Sequence, residues 1–380
     1  MNLNYNFVSL LDTVGFIQGL TLGLLLVLLN KKRHQSTTFL GLFLIFFALK
    51  LLHYIARGLR IETVYPELFL VPFNFSWLLF SLFFVYSQKI SIFSDRRTKH
   101  WVLIPGIISF LLQLIIFFLP HETKLSIAQN PWHELFFTYM GICYSWGIGI
   151  WNLKLLYRHK VEVNNCFSMV ESKELGWAQI FLIYSLVSSV ILHILYYLSP
   201  ENFYHKIIFS IFDLIAIYWL SFHGVQQYNV HRIFNQKELR NLFKTSIPEP
   251  ETKKDGVITK EAMERLMGRI DNYMMNSEIF IHTELTIADL AKDLKVHPRR
   301  VSNAINTVHH QNFNSYVNQF RIHKAKQLLK EHDHIKLSID GIGSEVGFNS
   351  RSAFYSAFKK ETGITPSKYA DKKMDQQDVY

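Results

Sequence analysis

Arg299, Arg300, Ser302, Asn303 and Asn306 crowd into one short stretch in which Val301 and Ile305 keep a four-residue apolar spacing. On a helix that spacing buries one edge and leaves guanidinium, hydroxyl and carboxamide groups on the other. Arg pairs with guanine and Asn with adenine through two parallel hydrogen bonds each, so such a face suits the edges of base pairs in a major groove. A second set follows at Ser350, Arg351, Tyr355 and Lys359, flanking the apolar positions Phe354 and Phe358. The chemistry offered is recognition. The chain has no His-Glu-x-x-His, Walker loop, Gly-x-Ser-x-Gly or cysteine cluster, so neither an enzyme, a metal nor a cofactor is expected.

Each set needs a helix before it and a tight turn between. Thr286-Ile-Ala-Asp289 reads as a capping box at a helix start, followed by Leu290, Ala291 and Leu294 as a buried face. Lys295-Val296-His297 makes the turn, and Pro298 suits a first helical position. The arrangement recurs 52 residues later: Leu290, Ala291, Leu294 and Val296 map onto Ile342, Gly343, Val346 and Phe348, with Asn349 placed to cap the following helix. Between them, Phe313 to Lys330 carries Tyr316, Val317, Phe320, Ala325, Leu328 and Leu329 in helical spacing. One long helix there would hold two helix-turn-helix units in a fixed relation, suited to successive major grooves about one turn (~34 Å) apart. Residues 285–370 contain 13 Lys/Arg and 7 Asp/Glu, a balance that suits phosphate contact.

These residues resemble the DNA-binding domain of AraC/XylS-type bacterial transcription regulators. Gly343, Val346, Gly347, Phe348, Ser352, Phe354, Phe358, Lys359, Gly363, Thr365, Pro366 and Tyr369 fit that pattern, as do Phe313, Tyr316, Arg321, Ala325 and Leu329 in the connecting segment. Three positions depart from it: Gly343 stands for the usual Ala, His297 for a capping Ser, and Lys295 occupies the turn site that Gly347 fills in the second unit. The resemblance implies a sequence-specific reader of double-stranded DNA at a promoter or operator.

The rest of the chain is of another kind. Of the 70 charged residues, 43 lie in the last 156, and the composition shifts near Gly224. Apolar runs occur at Val8–Leu29, Phe39–His53, Leu68–Tyr86, Trp101–Leu119, Leu135–Leu155, Ala178–Leu198 and Ile207–Phe222. Each approaches the ~20 residues a bilayer requires, which predicts seven spans. With the N-terminus outside, the inward loops carry Lys31, Lys32, Arg33, Lys89, Arg96, Arg97, Lys99, Lys154, Arg158, Lys160 and Lys173. Only Arg57, Arg60, Lys124 and Lys206 then face outward. The bias places the C-terminal domain in the cytoplasm, and the resemblance implies that the membrane is a bacterial inner membrane. Lys50 is expected to snorkel from the second span, and Pro72 and Pro105 to kink their helices. Cys143 and Cys166 read as free thiols.

The expected architecture is all-α: a polytopic membrane bundle over 1–224, an amphipathic helix and linker over 225–258, and a tandem helix-turn-helix domain over 259–372. Within the spans Asp12, Gln18, Gln113, Tyr144, His193 and Asp213 are polar. Asp213 with His193 and Gln18 forms the candidate signal site, against the plainer reading that Asp213 orders the bundle by bonding across helices. The whole reads as a one-component regulator whose partners are double-stranded DNA, membrane lipid and an unidentified small-molecule or protein signal. A homodimer through the 225–245 segment is also open, as is the alternative of a membrane transporter or anchor with an appended DNA-binding domain.

Overall fold

A computed structural model describes residues 6–30, 34–94, 97–171, 173–198, 203–230, 260–330 and 337–377. The sequence-predicted amphipathic helix and linker fall almost wholly on 231–259, outside the described residues. The chain divides into two compact units: Met1–His159 with Leu175–Phe234, and Lys160–Glu174 with Asn235–Tyr380. The described elements are helical apart from turns and one isolated β-bridge.

The first unit is built on α1 (Phe7–Leu28), α2 (Gln35–Gly58), α3 (Leu79–Ile90), α4 (Ile104–Phe117), α5 (Gly141–Cys166, as far as His159), α6 (Gly176–Leu198) and α7 (Phe203–Val230). Gly15, Gly19 and Gly23 recur every four residues along α1 and are all buried. A Cβ on Gly23 would stand 2.9 Å from the carbonyl oxygen of Gly41 on α2, so two glycines let these backbones touch. Close approach of this sort replaces the hydrophobic effect as the force between helices in lipid. Phe43, Phe83, Phe181 and Leu220 bring α2, α3, α6 and α7 into the same core.

Among the described residues five helices, not seven, are long and apolar enough to cross a membrane: Phe7–Leu28, Gln35–Gly58, His100–Phe117, Gly176–Leu195 and Tyr204–Gly224. The second is a continuous 24-residue helix despite Lys50 and His53. The third expected run fails in its first half, where residues 69–78 are non-helical and α3 is left with 12 residues. Pro72 belongs to this irregular stretch rather than kinking a helix. The freed backbone groups are satisfied from the side: Gln113 of α4 donates to the Asn74 carbonyl at 2.8 Å and accepts from the Asn74 N–H at 3.1 Å. Non-helical backbone among apolar helices needs such partners. The fifth run also changes: 135–140 form a wide π turn, and α5 carries Asn152, Lys154, Arg158 and Lys160 along its later half. Pro105 sits in the first turn of α4 and starts it.

The new count removes the charge bias. With five spans and the same N-terminal side, the inner loops hold Lys31, Lys32, Arg33, Lys124, Lys154, Arg158, Lys160 and Lys173; the outer ones hold Arg57, Arg60, Lys89, Arg96, Arg97, Lys99 and Lys206. Eight against seven no longer orients the chain.

The second unit contains α8 (Lys260–Ser277), α9 (Ile287–Asp293), α10 (Pro298–Val308), α11 (Phe313–Lys330), α12 (Ile339–Glu345), α13 (Arg351–Thr362) and α14 (Pro366–Gln377). It has two apolar cores. Leu266, Ile270, Leu290, Val301, Ile305 and Val317 fill the first. Ile322, Ala325, Ile342, Val346, Phe354 and Phe358 fill the second. The Met-rich face of α8 is packing, as Met267 and Met274 are fully enclosed in the first core.

Candidate DNA-binding interface

Helix α9 opens as its sequence requires. The Thr286 hydroxyl accepts from the Asp289 N–H at 3.3 Å, and the Asp289 carboxylate accepts from the Thr286 N–H at 2.9 Å. The turn that follows takes Lys295 to φ 55°, a left-handed conformation unusual for a side chain bearing a Cβ. Helix α10 then begins at Pro298, with His297 Nδ1 accepting from the Arg299 N–H at 3.2 Å. His297 therefore caps this helix in place of a Ser. Val301, Ala304 and Ile305 turn inward, while Arg299, Arg300, Asn303 and Asn306 are exposed and Ser302 is half-buried.

The second unit repeats this geometry with different chemistry. Gly347 stands at φ +97°, and a Cβ there would lie 2.5 Å from the Ile281 carbonyl oxygen. Only glycine satisfies both conditions. Ser350, not Asn349, caps α13: its Oγ accepts from the Ala353 N–H at 3.1 Å. Phe354 and Phe358 face inward and Arg351, Ser352 and Lys359 outward. Arg351 lies over the Tyr355 ring, 4.9 Å from its centroid, and pairs with Asp340 at 3.3 Å. The Tyr355 hydroxyl meets Ser367 Oγ at 3.1 Å. Arg351 is thus held against Tyr355 and Asp340, and Lys359 is exposed on the same outer face.

Helix α11 joins the units. Phe313, Tyr316 and Val317 enter the first core; Ile322, Ala325 and Leu329 enter the second. At 18 residues it spans about 27 Å. Arg321, 1% exposed, is its fastening. Its guanidinium donates to the carbonyls of Phe280 at 2.7 Å and His282 at 2.9 Å, and lies 5.5 Å from the Phe348 ring centroid. One side chain therefore grips the approach to the first unit and the turn of the second. Burial draws its pKa down to about 10, still well above neutral pH. Tyr316 donates to Asp271 at 2.7 Å; burial first and this bond second push its hydroxyl pKa upward.

A segment remote in sequence completes the unit. Phe167 forms an antiparallel bridge with Thr286, and the Ser168 N–H donates to the Leu285 carbonyl at 3.0 Å. Ser168 Oγ accepts from Arg321 at 3.2 Å, and its carbonyl accepts from Asn314 at 2.7 Å. Lys173 pairs with Glu284 at 3.0 Å. Glu171 reaches the recognition helix itself: its carboxylate accepts from Ser350 Oγ at 2.8 Å and from Ser352 Oγ at 3.1 Å. A carboxylate at a helix N-terminus sits where a phosphate would bind. Nothing in the local sequence marked residues 160–174 as part of a DNA reader.

The second unit is thus a pair of helix-turn-helix elements on a shared helix, with two exposed recognition faces. Residues 290–372 match the family described as a helix-turn-helix domain, and this C-terminal region is a DNA-binding domain of the AraC type, as found in transcription regulators. Over 91 residues the chain is 31% identical to an uncharacterized HTH-type transcriptional regulator, YtdP, of Bacillus subtilis (strain 168), covering 24% of this chain and 11% of that protein. Over 93 residues it is 33% identical to the melibiose operon regulatory protein of Escherichia coli (strain K12), covering 24% and 29%. The chain therefore spans less than a third of either relative, and both likenesses cover only about a quarter of its own length. No solved structure matches.

In the first unit, Asp213 and His193 line one cavity, and Gln18 is not among its lining residues. Lys50 does not snorkel; its Nζ meets the two Asp213 carboxylate oxygens at 3.0 and 3.2 Å, across from α2 to α7. His193 Nδ1 lies 2.5 Å from the Ser189 carbonyl. Tyr144 bonds the Val102 carbonyl at 2.6 Å, so it and Gln113 serve the backbone of neighbouring segments. Cys143 and Cys166 are free thiols.

Proposed function

We propose that this chain is a membrane-embedded one-component transcription regulator, reading double-stranded DNA through α10 and α13 under the control of its apolar helices. The observation that carries the reading is the construction around α11: two recognition helices, each with its own core, held in one rigid relation by a shared helix and a buried arginine. Arg299, Arg300, Ser302, Asn303 and Asn306 supply base and backbone contacts from α10, and Ser350, Arg351, Tyr355 and Lys359 from α13. The protein resides in a bacterial inner membrane with the DNA-binding unit on the cytoplasmic side, where DNA is.

Control follows from the path of the chain. Residues 160–174 comprise the end of α5 and the stretch leading to α6, and form part of the DNA-binding unit. A ligand, lipid or protein that shifts those helices alters the seat of Glu171 on Ser350 and Ser352, and with it the access of DNA phosphate to α13. Two copies engaging adjacent sites would raise avidity through effective concentration. The test is selection of genomic fragments by the full-length protein in lipid nanodiscs, followed by sequencing. A shared motif should emerge, with affinity falling steeply from 50 to 200 mM salt, as expected when about six or more phosphates are contacted. Recovery without a motif, or binding indifferent to salt, defeats the proposal. Solute uptake that is abolished by Asp213→Asn would instead favour a transporter with an appended reader.

A further inference from the structure

The cavity of the first unit encloses about 820 Å³, enough for a drug-sized molecule. Its lining includes the ionisable side chains of Asp12 on α1, Lys50 on α2 and Asp213 on α7, the first buried and the other two half-buried. Lys50 is committed to Asp213 at 3.0 Å. Asp12 is 3% exposed, and its Oδ2 has no hydrogen-bond partner. One ammonium thus stands among two carboxyl groups, and one acceptor at the cavity wall is left over. Much of the remaining wall is apolar and aromatic, with Phe43, Phe47, Tyr54 and Phe209 among it, interrupted by serines and by the imidazoles of His53, His193 and His205. Arg57, Arg60 and Lys206 also line the cavity but are exposed, so they belong to its mouth rather than its floor.

We infer that this cavity binds a small amphipathic organic amine, its protonated nitrogen donating to Asp12 Oδ2 and its apolar body lying among the phenylalanine rings. A cation there supplies the missing donor and balances the second carboxylate, whereas an anion would face two carboxylates with the one ammonium already paired. Aromatic faces add attraction for an ammonium group; Lys50 Nζ itself lies 5.1 Å from the Phe47 ring centroid and 5.5 Å from that of Tyr54. A neutral ligand could fill the apolar part without satisfying Asp12. The inference deepens the proposed function by giving its input a chemistry, and rests on that reading only for the consequence of binding, not for binding itself.

The probes are phenethylamine and 3-phenylpropionate, alike in size and opposite in charge, presented to the full-length protein in nanodiscs while thermal unfolding is followed by tryptophan fluorescence. Phenethylamine should raise the unfolding temperature in a saturable way and 3-phenylpropionate should not. Asp12→Asn should weaken the amine effect at least tenfold, while Thr13→Ala, next in sequence but outside the cavity lining, leaves it unchanged. Equal effects of both probes, preference for the acid, or an undiminished response in a folded Asp12→Asn protein would each overturn the inference. The wild-type comparison decides even where Asp12→Asn does not fold. DNA affinity measured on the same samples separates the two ideas: amine binding that leaves DNA affinity untouched keeps the cavity assignment and removes its control of transcription.

Discussion

Replacing Glu171 by Gln should tighten DNA binding. The Glu171 carboxylate accepts hydrogen bonds from Ser350 and Ser352 at the start of α13, and Ser350 is simultaneously the cap of that helix. DNA phosphate approaching the same N-terminus must displace the carboxylate or suffer its repulsion. Hydrogen bonds to a charged group contribute about 1.5–3 kcal/mol when sheltered, but these are exposed, and solvent reduces each to roughly 0.5 kcal/mol. Two of them, with the repulsion removed, amount to about 1–1.5 kcal/mol, or a roughly five- to tenfold lower dissociation constant. Fluorescence anisotropy with a selected fragment and full-length protein in nanodiscs measures it directly. Because one side of the competition is charge, the gain should shrink between 50 and 200 mM salt. Glu284→Gln, which breaks the Lys173 pair without touching α13, serves as the control and should change affinity little. Unchanged or weaker binding by Glu171→Gln would refute the competition and leave the contact as simple docking.

Other outcomes follow from the same geometry. Gly347→Ala combines a left-handed backbone with a Cβ 2.5 Å from the Ile281 carbonyl oxygen, and should destabilise the DNA-binding unit by about 3 kcal/mol, read by thermal unfolding. Gly343→Ala gains about 1 kcal/mol of helix propensity but places a Cβ 2.8 Å from the Phe354 ring, so a net loss of roughly 1 kcal/mol is expected; stabilisation would show that Phe354 can move. Arg321→Met should cost about 3 kcal/mol by leaving the carbonyls of Phe280 and His282 without their donor, with looser coupling of the two units seen as a second unfolding step. Burial pushes the Cys166 thiol up to about 12, with Glu162 adding to it, so iodoacetamide at pH 8 should label it far more slowly in native than in unfolded protein. By linkage its contribution to stability is complete below pH 9 and is lost as pH rises toward 12.

The recognition helices were legible because their constraints are local. Spacing alone placed Val301, Ile305, Phe354 and Phe358 inside, and Pro298, Thr286 and Asp289 marked the boundaries. The caps were read less well: His297 and Ser350 took the role through a ring nitrogen and a one-residue shift that spacing does not resolve. Hydropathy over-counted the spans because it registers apolar content, not backbone. Pro72 and Asn74 break the helix, and the compensating carboxamide of Gln113 lies 39 residues away, beyond any local window. The glycine repeat of α1 went unread, because only the fold sets Gly41 opposite Gly23 and gives the repeat its meaning. Asp12 looked like one polar residue among several until the fold set it beside Lys50 and Asp213. For Glu171 no local pattern existed.

The bridge between Phe167 and Thr286 also bears on how this reader can be taken apart or made. A protease cutting anywhere between the last apolar helix and Lys260 would release a fragment lacking Ser168, one of the partners of Arg321 and Asn314. That fragment would carry an intact family signature and an unfinished first core edge, so a freed C-terminal piece and the intact chain are different readers. The same holds during synthesis, since residues 160–174 leave the ribosome roughly a hundred residues before the helices they complete. The DNA-binding unit is contiguous as a family match and discontinuous as a folded object, and domain transplants designed on the first description would omit a part of the second.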